Sequence, residues 1–186
     1  VATVDNAGKV TALAVGTTTI TVTTQDGNFT ATCSVTVVTA PAVFSSTPAK
    51  NAQNVAINTS ISITFDQNIE LVGTSATVTL TAQGATSGIE LTAYQVDNNH
   101  RTLSFTLPND LANSTTYTLS IGANQVKNAA NVNNAANTNI ATFTTIAAPP
   151  AVSSTTPADN AQNVTVYTST ITITFDKAIT ATSNAS

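Results

Sequence analysis

The stretch SSTPAKNAQNV at positions 45–55 returns almost letter for letter as STTPADNAQNV at positions 154–164. The copy extends well past it. Positions 41–69 and 150–179 share 20 identities over 29 aligned positions, at an offset of 109 residues that becomes 110 after one inserted residue near Thr170. A catalytic motif has no reason to be written twice in so short a chain, whereas a structural unit stacked in tandem does. A period of about 110 residues is the length of a domain rather than of a solenoid repeat. The second copy stops soon after Ile179, the sequence has no Met, and Val1 falls in the middle of a strand-like pattern. We therefore expect a window of a longer chain that cuts through a domain at each end.

Period-2 runs rich in Thr, Val and Ile predict strands throughout. Only 8% of the residues are charged and 41% are hydrophobic, the opposite of the balance that keeps chains disordered. No window of about 18 apolar residues occurs, so no membrane span is expected. A net charge of −4 with five Lys plus Arg leaves no basic face for phosphates, so nucleic acid is not an expected partner. One Cys cannot form an internal disulfide.

At the start, Asp5-Asn6-Ala7-Gly8-Lys9 is a turn between two short strands, with Gly8 supplying positive φ. Thr17–Thr24 alternates, Ile20 and Val22 facing one way and Thr19, Thr21 and Thr23 the other. Gln25–Asn28 turns the chain, and Phe29–Val38 returns it. Thr39-Ala40-Pro41 and Ala147-Ala148-Pro149-Pro150 are linkers, and their prolines imply modules strung end to end on short, stiff joints. Between them the pattern predicts strands at Val43–Thr47, Val55–Ile57, Ser60–Asp66, Ala76–Gln83, Gly88–Tyr94, Thr102–Leu107, Thr116–Ile121 and Thr138–Thr145, with Asn128–Asn139 a polar loop. The fold class is all-β: tandem antiparallel sandwiches, one complete and two partial. Ile61, Ile63, Phe65, Leu103, Phe105, Tyr117, Leu119, Ile121 and Phe143 should fill the complete one, and Phe175 repeats Phe65 in the second copy.

VATVDNAGKVTALAVGTTTITV followed by CSVTV resembles the second half of a group 2 bacterial immunoglobulin-like domain, which makes residues 1–39 its C-terminal half. The succession STPA, NV and ITFD, then TTYTL and ATFTT, resembles the bacterial Ig-like domain of S-layer and other surface proteins. It spans residues 40–147 as a complete domain, and residues 148–186 as the N-terminal part of a repeat. The resemblance implies a non-catalytic structural or adhesive region, extracellular, on a bacterial surface or in a secreted matrix. Implied partners are neighbouring modules, further copies paired strand to strand in a fibre, and a surface glycan or host ligand. Accessory domains of a secreted enzyme, or a carbohydrate- or ice-binding module using the Thr rows, are the alternatives.

Individual residues bring little chemistry. Leu111 to Leu119, centred on Tyr117, looks like the tyrosine corner of Ig-like sandwiches, with the hydroxyl capping a backbone group and the ring packed inward. Cys33 shares a face with Val35 and Val37 and reads as a buried small hydrophobe; a nucleophilic thiol needs a neighbouring base, and His100 is in another module. His100 and Arg101 sit in a hydrophilic turn, where solvation is the default reading. Asp66 and Asp176 hold the same place in the two copies and read as turn or edge caps. A calcium ion there would need about six oxygens, and beyond Glu70 and Asp97 no carboxylate cluster exists to supply them, so no cofactor is expected. No Ser/His/Asp set, phosphate loop or paired acids point to an enzyme.

Overall fold

The computed structural model describes residues 1–93, 95–165 and 170–180; Tyr94, the end of one predicted strand, lies outside them. The chain divides into two compact units, Val1–Ile146 and Ala147–Ser186. In the first lie β1 (Ala2–Val4), β2 (Val10–Ala12), β3 (Gly16–Thr23), β4 (Thr30–Val37), β5 (Val43–Thr47), β6 (Ile61–Phe65), β7 (Glu70–Leu71), β8 (Ala76–Ala82), β9 (Ile89–Ala93), β10 (Thr102–Phe105), β11 (Thr116–Ile121), β12 (Val126–Lys127) and β13 (Asn137–Thr144). The second holds β14 (Val152–Thr156) and β15 (Thr172–Phe175). Among the described residues there is no helix, and so none long and apolar enough to cross a membrane.

Residues 1–38 form two hairpins. β1 and β2 pair around a turn in which the Asp5 carboxylate accepts from the Ala7 and Lys9 amides, both at 2.9 Å, while Gly8 takes φ 79°. β3 and β4 pair in register from Gly16 with Val37 to Thr23 with Thr30. Neither hairpin contributes to the buried core.

From Val43 onward the alternation does what period 2 demands. Sheet order β10-β6-β5 gives one layer and β13-β11-β8-β9 the other, all pairs antiparallel. In β6, β8, β10 and β11 the apolar positions point inward, whereas Phe44 of β5 is 75% exposed; all nine predicted core residues are at most 5% exposed. Val78, Leu80, Leu91 and Ile69 complete the same cluster, and the Tyr117 and Phe143 rings stack at 5.9 Å. The outer positions of β6, β8, β10 and β11 are Thr and Ser, and Thr–Thr hydroxyl pairs such as Thr64–Thr102 and Thr116–Thr144 join neighbouring strands.

Two expectations need correction. Val55–Ile57 is not a strand. Asn51 and Asn54 adopt left-handed φ values of 63° and 54°, so the chain coils there and only Val55 bridges, in parallel, to Thr145. Cys33 is exposed, not buried. It faces Ile20 across a two-stranded hairpin whose apolar side is largely wet, Val22 being 60% exposed. The short pair β7 and β12 escaped the sequence pattern because two residues cannot display a period.

The second unit repeats the β5–β6 hairpin in detail. Val43 opposes Phe65 and Val152 opposes Phe175, each followed by the same register shift. The Thr47–Pro48 and Thr156–Pro157 peptides are both cis, and Asn160 and Asn163 repeat the left-handed φ. Burial does not repeat: Ile63 is fully buried, whereas its copy Ile173 is 54% exposed. Truncating a buried Ile to Ala costs about 2–5 kcal/mol through lost transfer energy and the cavity left behind. Ile63→Ala should therefore lower the urea midpoint of the full chain sharply and Ile173→Ala should leave it nearly in place. Equal losses would contradict the assigned core.

Candidate functional site

The features the two copies share most closely lie where each linker enters its module. In the first copy the Asp66 amide donates to the Ala42 carbonyl at 2.9 Å, and the Ala42 amide donates back to the Asp66 carboxylate at 3.0 Å. In the second, Asp176 and Ala151 make the same pair of bonds, at 2.9 and 2.8 Å. The residue after each Asp then reaches further back. Gln67 Nε2 donates to the Thr39 carbonyl at 3.3 Å, and Lys177 Nζ donates to the Ala148 carbonyl at 2.7 Å. The expected edge-capping role of Asp66 and Asp176 is the one their geometry performs.

In the first unit this junction is reinforced by Asn128, from the loop between β12 and β13. Asn128 is buried; its Nδ2 donates to the Thr39 carbonyl at 2.9 Å and to Gln67 Oε1 at 3.2 Å, while its Oδ1 accepts from the Ala130 and Val132 amides. Asn134, also buried, accepts from the Gln125 and Val126 amides and donates to the Gly122 and Ala135 carbonyls. Both amides thus use all their bonding capacity, as burial requires. The sequence reading missed these two residues: in a run of small polar residues nothing local distinguishes a buried Asn from a solvated one.

Arg101 braces the other side. Its guanidinium donates to the Phe65 carbonyl at 3.2 Å and to the Asp66 carbonyl. The turn presenting it is held by Asp97, whose Oδ1 accepts from the Arg101 and Thr102 amides, both at 2.8 Å. His100 sits exposed at the tip with φ 55°. The turn therefore fixes the end of β6 and fills one edge of β10, where the Asp97 amide bonds the Thr102 carbonyl.

Of the other expected positions, Tyr117 and Leu111 are both buried in the core cluster, and the Tyr117 hydroxyl accepts from the Ala112 amide at 3.1 Å, the bond of a tyrosine corner. Phe65 is fully buried and Phe175 half-buried. Glu70 makes only a long, exposed contact of 3.9 Å with Lys127. Among the described residues no group of three or more His, Cys, Asp or Glu is placed to hold a metal ion. These hydrogen bonds join each linker to the end of the strand that follows it.

Comparison with known families agrees with this geometry. The profile of the bacterial Ig-like domain matches residues 37–145 and again 147–186, and that of the bacterial Ig-like domain (group 2) matches residues 1–35. No curated protein matches the chain. Among solved structures, the crystal structure of the S-layer protein rSbsC is similar over 61% of this chain and 15% of its own, at 21% identity and a TM-score of 0.43.

Backbone amides of Thr102 and Arg101 hold the Asp97 carboxyl below its usual pKa. A depressed carboxylate pKa adds stability that is fully present above the unfolded value of about 3.9 and is lost as pH falls through the folded value. Asp97→Asn should flatten the dependence of the thermal midpoint on pH below about 4. Parallel acid curves for the two proteins would show that Asp97 has no such role.

Proposed function

This chain belongs to the bacterial Ig-like domain family, and from that premise we propose that it is a non-catalytic spacer region, a stalk or filament segment, of a bacterial surface protein. The observation that carries this reading is the repeated entry: both copies of the opening hairpin fasten the incoming linker with the same carboxylate-to-amide bond. Such a unit suits serial repetition in a chain that has to extend away from its anchor. The low charge also supports pairing with further copies strand to strand, since few Lys or Glu residues stand on strand edges to oppose it.

Immunogold electron microscopy of intact producing cells, with antibodies raised against this chain, tests the proposal. Label on the outer surface or on a secreted matrix is the expected result, and its distribution along regular filaments or separate stalks distinguishes the two forms. Label appearing only after the cells are broken would overturn the surface reading.

One observation favours a second reading. The β3–β4 register sets Thr17, Thr19, Thr21 and Thr23 opposite Thr36, Ser34, Thr32 and Thr30, all exposed, as a two-rank field of hydroxyls. An ordered hydroxyl field is a candidate for binding ice. Inhibition of ice recrystallisation at micromolar protein would support that role, and an inactive chain would eliminate it.

A further inference from the structure

We infer that Asp66-Gln67 and Asp176-Lys177 are linker latches, which make the chain between modules an ordered part of the following module rather than a flexible tether. β4 ends at Val37, and the Thr39 carbonyl is already bonded by Gln67 and Asn128, so Val38 is the one residue between the strand and the latch. At the second linker the Ile146 carbonyl accepts from the Ser114 amide at 3.0 Å and from Asn113 Nδ2 at 3.1 Å. The Ala148 carbonyl, two residues later, accepts from Lys177, which also reaches the Pro149 carbonyl at 3.4 Å. Only Ala147 separates these two held carbonyls.

The chemistry is matched to a linker. Pro41, Pro149 and Pro150 have no amide hydrogen, so the first amides after them are those of Ala42 and Ala151. The latch supplies one carboxylate acceptor for that amide and one donor for a carbonyl. The position after the Asp is Gln in one copy and Lys in the other, both of which donate and are long enough to reach back along the chain. The latch rests on geometry alone; only its use in keeping a spacer stiff rests on the surface reading above.

Backbone order parameters from ¹⁵N relaxation on the full chain test it. In the unaltered protein the amides of Ala40, Ala42, Ala148 and Ala151 should match the strands, at about 0.85, rather than fall below about 0.6 as in flexible chain. Asp66→Ala should release Ala40 and Ala42 while the core amides of Leu119 and Phe143 stay ordered. Asp66→Asn keeps the acceptor oxygen and should retain the order. Should Asp66→Ala fail to fold, Gln67→Ala, a half-buried position outside the core cluster, should still loosen Ala40. Linker amides already mobile in the unaltered chain, or unmoved by Asp66→Ala, would overturn the latch, as would Asp66→Asn behaving like Asp66→Ala. None of these results bears on where immunogold label is found, so the latch and the surface reading fail separately.

Discussion

The sandwich depends on closing the outer edge of its last strand. β13 pairs with β11 on one side; on the other, its backbone would be left open to water or to a foreign strand. The segment Asn51–Val55 covers it. The Asn51 amide donates to the Thr142 carbonyl at 2.6 Å and the Val55 amide to the Thr144 carbonyl at 3.0 Å, while the Thr144 and Ile146 amides donate back to Ala52 and Val55 at 2.9 and 2.8 Å. These four bonds join the layer containing β5 and β6 to the layer containing β13. They require a chain that coils between hydrogen-bonding points, which the left-handed Asn51 and Asn54 provide at little steric cost. The copied letters Asn-Ala-Gln-Asn-Val are those of an edge cover.

The same hairpin also carries the linker bonds at its opposite end. A single stretch of about thirty residues therefore admits the chain, starts the inner layer with Ile61, Ile63 and Phe65, and seals the far edge. Copying it preserves local geometry: register, cis peptide, left-handed asparagines and Asp–Ala pairing all recur in residues 150–176. Burial belongs to what packs against the hairpin, and so Ile173 in β15 is 54% exposed where Ile63, at the same place in β6, is fully buried.

This distinction also explains what could be read from the sequence. Thr116–Ile121 was located to the residue because its alternation is uninterrupted, and Tyr117 was assigned because the corner lies within five residues of its partner Ala112. Val55–Ile57 was misread as a strand because β-branched composition says nothing of the left-handed Asn54 immediately before it. Cys33 alternates correctly with Val35 and Val37, but alternation specifies which residues share a face, not whether that face is covered. Asn128 and Arg101 take their roles from partners 35 to 89 residues away, as in the Asn128–Thr39 bond, and no local pattern encodes such a distance.

If the copied segment is an edge cover, its amides are shielded from solvent exchange only while β13 is docked against them. Residue-resolved hydrogen exchange of the full chain measures this directly. The account predicts that Asn51, Val55, Thr144 and Ile146 exchange slowly and together, at rates close to those of the β11 core amides. Exchange of Asn51 and Val55 as fast as in the open turn at residues 25–28, with β11 still protected, would contradict it.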